Sequence, residues 1–118
     1  MSLAKNTETS KKNTETVPPI RHPEGKTFHE ASKLAIVEDK PIMMDYWVGS
    51  IEKSVILGIR EEIDEETGEK ITERLLVRSP EEFTSSIVNI YKVLTELIIM
   101  TENSIYIVDS KIPVKKIS

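Results

Sequence analysis

SIVNIYKVLTELIIMTENSIYIVD, Ser86 to Asp109, is the stretch whose reading decides the fold. As part of a helix over 80–95 it would put Phe83, Ile87, Ile90, Tyr91 and Leu94 on one face. Against that, seven of the twelve residues from Thr84 to Thr95 are β-branched or aromatic. Such side chains lose χ1 freedom in a helix and fit a pleated surface. The composition favours strands at 86–93, 97–101 and 104–109, joined by Leu94-Thr95-Glu96 and Glu102-Asn103 into an antiparallel meander. Ser79-Pro80-Glu81-Glu82 carries the signs of a helix start, so one helical turn is expected at 80–84. The longer helix over 80–95 stays open as the alternative.

Outward from this stretch the punctuation is clearer. Ser54 to Arg60 and Lys70 to Arg78 are strand-like runs either side of the turn Asp64-Glu65-Glu66-Thr67-Gly68, which predicts a hairpin. Its tip is acidic, with seven acids and three bases between Arg60 and Arg74. The apolar, aromatic run Pro41 to Val48 predicts a buried strand ending at Gly49-Ser50. Before it, Phe28, Ala31, Leu34 and Ala35 recur at helical spacing, Thr27 and Glu30 have the form of a capping box, and Pro41 stops the run; a helix is expected at 28–38. Lysines and Pro113 in the tail 111–117 mark an edge strand.

Residues 1–26 differ in kind. Lys5-Asn6-Thr7-Glu8-Thr9 returns as Lys12 to Thr16, and Pro18, Pro19 and Pro23 favour extended backbone. Nothing there offsets the ordering cost of about 1–2 kcal/mol per residue. The expected architecture is therefore α+β, mostly β: a small antiparallel sheet or meander of five or six strands with one short N-terminal helix. An extended polar arm (1–26) precedes a single small β-rich domain (27–118).

Composition narrows the chemistry. The chain has 118 residues, no cysteine and a net charge of −4, of which the arm carries +2 and the rest −6. Disulfides, thiol catalysis and thiolate metal sites are excluded. No run approaches the ~18 apolar residues of a membrane span, and the N-terminus lacks a signal-peptide core, so a protein that is not secreted is expected. The acidic domain argues against nucleic-acid binding. His22 and His29 have no partner at metal-ligand spacing. Asp64 to Glu69 cannot be a calcium loop, because Glu69 stands where the required glycine would be. No glycine-rich phosphate loop or nucleophile elbow is present. No catalytic, cofactor or metal residue is assigned, and no cofactor is expected.

Three stretches carry a resemblance: EASKLAIVEDKPIMMDYW (Glu30 to Trp47), LLVRSPEEFTSSI (Leu75 to Ile87) and LIIMTENSIYIVDSKIP (Leu97 to Pro113). Together they resemble a family of short proteins encoded by large nucleo-cytoplasmic DNA viruses, the giant viruses of algae and protists. The likeness covers the chain from about Phe28 onward and leaves out the arm. The family has no catalytic motif to carry over. What the resemblance implies is a viral origin and a non-enzymatic structural role, as a minor capsid or virion-associated protein with protein partners, in the virion or the host cytoplasm. The alternative is a soluble regulatory adaptor that binds a host or viral partner through a sheet edge. On this reading partner contacts are expected from Pro18, Pro19 and Ile20 of the arm and from Tyr46 or Trp47, which on a strand would face opposite ways, one in the core and one toward a partner; the favoured alternative for this pair is burial of both rings by helix and sheet.

Overall fold

A computed structural model describes residues 20–117. The fold is α+β and mostly β, as expected. Among the described residues there are eight strands rather than five or six, and they form two sheets with two helices. In chain order the elements are α1 (Gly25–Glu38), β1 (Ile42–Met43), α2 (Trp47–Ile51), β2 (Ile56–Ile63), β3 (Lys70–Ser79), β4 (Glu82–Phe83), β5 (Ile87–Val93), β6 (Glu96–Thr101), β7 (Ile105–Asp109) and β8 (Val114–Ile117).

One sheet has the order β1-β7-β6-β5 and contains the expected antiparallel meander. The other, β4-β3-β2-β8, is built on the expected hairpin. Each gains a strand that pairs in parallel, β1 on β7 and β8 on β2. β8 is indeed an edge strand.

Alternation places the core in two layers. Leu97, Ile99, Tyr106 and Val108 of the first sheet meet Leu57, Ile59 and Leu76 of the second. On the opposite face of the first sheet, Ile98, Met100, Ile105 and Ile107 pack against Ala31 of α1 and Trp47 of α2. The first sheet is therefore buried on both sides, which explains why β6 and β7 read as continuous apolar runs rather than alternating ones.

Four local expectations are corrected. Helix α1 starts at Gly25, not 28, and the capping box does not form. Thr27 lies inside the first turn and donates from its hydroxyl to Glu96 Oε1 at 2.5 Å. The carboxyl of Glu96 also accepts the Glu24 N–H, at 3.0 and 3.1 Å. A residue of β6 thus takes up the Glu24 N–H, which the glutamate of a capping box would otherwise accept, and holds the threonine hydroxyl as well.

The expected strand 41–48 shrinks to Ile42–Met43, and the chain turns at Asp45-Tyr46 into α2. A continuous strand would have sent one of two adjacent aromatics to each face. The turn instead puts Tyr46 into the inter-sheet core and Trp47 into the helix-side core.

No helical turn forms at 80–84. Pro80-Glu81 is a turn, Ser79 Oγ accepts the N–H groups of Glu81 and Glu82, and β4 pairs back on β3. The open alternative of a helix over 80–95 is also excluded, since 87–93 is strand. Its helical periodicity has a cause: the register of β5 on β6 slips between Ile87 and Asn89. This bulge turns Ile87 and Ile90 to one side and Tyr91 and Val93 to the other, a spacing that imitates a helix.

Candidate functional site

Of the residues expected to meet partners, the aromatic pair is not at the surface. Tyr46 and Trp47 are 5% and 4% exposed. Tyr46 stacks edge-on with Tyr106 at 5.2 Å, and the Arg78 guanidinium lies 5.4 Å from its ring. Burial, with Tyr106 and Asp45 nearby, pushes the Tyr46 hydroxyl up to about 12.

Trp47 is fixed by the segment before α1. Its indole N–H donates to the Arg21 carbonyl at 2.8 Å, the Arg21 guanidinium lies 5.0 Å over its ring, and Arg21 Nη2 meets Asp109 Oδ2 at 2.6 Å. Burial alone would raise the Asp109 carboxyl. Hydrogen bonds from Arg21 and from the Lys111 N–H outweigh that and hold it below the ordinary value. Ile20 is exposed, and Pro18 and Pro19 lie outside the described residues. His22, His29 and Asp45 are exposed, and among the described residues no three His, Asp or Glu side chains converge as metal ligands would.

What the fold does assemble is a groove of about 620 Å³ between α1 and the outer strand β5. Leu34 and Val37 of α1 form one wall, Tyr91 and Val93 the other, with Ile98 between them and Leu94 at the end. Val37 is 76% exposed, and its neighbour Ile36 in α1 is 81% exposed. Lys26, Lys33 and Lys92 also line the groove. Lys33 is paired with Glu30 at 3.2 Å. Among the described residues no carboxyl is within ion-pair distance of Lys26 or Lys92.

Two backbone features belong to this groove. β5 ends its sheet, and no described strand pairs with its outer side. Val93 and Glu96 flank the two-residue turn Leu94-Thr95, so Val93 and Tyr91 bond across to β6 while the main-chain groups of Ile90 and Lys92 face outward. In keeping with this, the Ile90 N–H is taken by its neighbour Asn89 Oδ1 at 3.0 Å. Leu94 itself sits at φ 55°, a left-handed conformation that costs a leucine about 1–2 kcal/mol. More than half of its surface is exposed, so burial does not explain the choice of leucine over glycine or asparagine there.

A second concavity of about 640 Å³ lies on the outer face of β4-β3-β2-β8, floored by Leu75, Val77 and Ile56 and walled by Phe83 and Ile117. Its three cations are already matched: Arg60 to Glu73 at 2.6 Å, Lys116 to Glu61 at 3.1 Å and Arg78 to Glu82 at 4.0 Å. A hydrogen bond from Ser86, then Arg60, holds the Glu73 carboxyl below its usual range, and Lys116 does the same for Glu61.

Sequence reading missed Lys26, Leu34, Val37, Lys92 and Leu94 as a group. Two signals were present: Ile36-Val37, apolar but off the stripe of Phe28, Ala31, Leu34 and Ala35, and a leucine where a hairpin turn favours glycine. No family model, no curated protein and no solved structure matches the chain.

Proposed function

We propose that the protein is a non-catalytic interaction module that docks on other proteins through the α1–β5 groove. The observation that carries this is an apolar groove lying directly beside a sheet edge that no described strand covers. Apolar floor gives affinity and unpaired backbone gives direction, the combination used wherever a peptide extends a sheet. The lining gives this reading its polar side too: its one carboxyl, Glu30, pairs with Lys33, and Lys26 and Lys92 stand beside the apolar walls.

The resemblance extends the proposal to a minor capsid or virion-associated protein of a large DNA virus, seated against a capsid neighbour. The alternative is a regulatory adaptor using the same edge. The test is capture of partners by the tagged full chain in producing cells, beside a Val37→Glu/Leu94→Glu variant, with recovered proteins quantified. Both side chains are exposed, so the variant keeps the fold. Partners should fall by about tenfold or more, the loss of an interface anchor; an unchanged set overturns the proposal. Fixed stoichiometry in purified particles assigns the virion role, and trace presence assigns the adaptor.

A further inference from the structure

We infer that the occupant of the α1–β5 groove is an extended, acidic segment of a partner protein, which adds to β5 as a fifth strand of its sheet. This deepens the docking reading above and rests on it. Extended geometry follows from the backbone: the outward groups of Ile90 and Lys92 form a short ladder half, and an incoming carbonyl takes over the Ile90 N–H from Asn89. Alternate side chains of such a strand point to the α1 side of the sheet, where Leu34, Tyr91 and Val93 offer apolar surface.

Charge selects the partner. Lys26 and Lys92 have no carboxyl within reach among the described residues; Lys92, on the face of β5 opposite Tyr91 and Val93, lies beside the added strand from the other side, and Lys26 lies on the α1 side. A second copy of this chain would bring Lys92 against Lys92 along paired edges. An edge lysine resists that kind of self-pairing, whereas glutamates or aspartates on the incoming segment complete the ion pairs. Leu94, held in its costly turn, closes the end of the groove and meets the segment's apolar side chain. Strain kept at an exposed position of this kind marks a contact that the free protein does not use.

The experiment titrates the full chain, isotope-labelled for NMR, with two synthetic peptides of equal length, one alternating valine with glutamate and one alternating valine with lysine. The acidic peptide should shift amides along α1 and β5, slow exchange of the Lys92 N–H, and bind at least about tenfold more tightly than the basic one, less so at high salt. Lys26→Glu/Lys92→Glu, both at exposed positions, should reverse the order of the two peptides. Equal binding of both peptides at the groove overturns the acidic, strand-adding occupant and leaves the docking site standing. A bound peptide that is helical, or a dimer of the free chain that protects the Lys92 amide, also overturns this occupant. Shifts from neither peptide at α1 or β5 overturn the occupant and the docking reading together.

Discussion

Two concavities of nearly equal volume, about 620 and 640 Å³, sit on opposite parts of this small molecule. On the outer face of β4-β3-β2-β8 every lining cation already has its carboxyl, and the floor residue Leu75 is buried. Gly58 belongs to the same surface: a Cβ there would meet Ile117 Cδ1 at 2.9 Å and Val77 Cγ2 at 3.3 Å, so the absence of a side chain lets β8 close over the hairpin. Between α1 and β5, by contrast, apolar side chains stand in solvent, backbone faces outward and two lysines lack partners among the described residues. Volume does not separate the two. What separates them is charge: all three cations of the second concavity have carboxyl partners, whereas Lys26 and Lys92 of the α1–β5 groove have none among the described residues.

Leu75 and Val37 differ in burial, so the two places respond to truncation to different extents. Leu75→Ala should cost most, about 2–4 kcal/mol, because it hollows a packed floor. Val37→Ala in the other groove should stay within about 0.5 kcal/mol. Urea denaturation of both variants checks this, and equal losses would erase the distinction.

Next in size is an alkaline limb. The Tyr46 hydroxyl lies at about 12 in the fold against 10.0 normally, so the unfolded chain loses its proton first. Stability should therefore hold below pH 10 and fall as pH rises toward 12. Tyr46→Phe should shrink that limb in pH-dependent unfolding, leaving the part due to Tyr106, whose hydroxyl burial also raises.

Leu94→Gly should move the other way, raising stability by about 1 kcal/mol as the turn relaxes, while weakening the acidic peptide. A stabilised variant that binds as before would mean the leucine serves no contact.

The smallest expected effect is the acid limb of the matched surface. The Glu61 and Glu73 carboxyls lie below their ordinary 4.5, so the unfolded state takes up protons first and stability declines as pH falls from about that value. Glu73→Gln should flatten the decline, and salt should shrink it.

Much of the scaffold was legible because it is local. The hairpin β2–β3 and the meander β5–β7 follow from β-branched runs and short turns, and the structure returns both. What failed depended on distance. Neither parallel pairing can be read from the residues that make it, since β1 and β8 are named as partners of β7 and β2 only by the folded chain. The Tyr46-Trp47 pair has the composition of a strand, but two separate cores each claim one ring. Thr27 and Glu30 have the spacing of a cap, yet Glu96 holds the threonine hydroxyl. The groove was least legible, because its walls come from 25–38 and 87–98 and meet only once the helix lies on the sheet.

The link from Glu96 to the start of α1 spans 69 residues from Thr27 and 72 from Glu24. A helix of 14 residues beginning with glycine is marginal by itself in water. During synthesis, at roughly 5–20 residues per second, it is made several seconds before its distant partner. Helix α1 is therefore a late-maturing element despite its early place in the chain. Truncations that stop short of Glu96 should yield a chain whose first helix waits, half-formed, for a strand that never arrives.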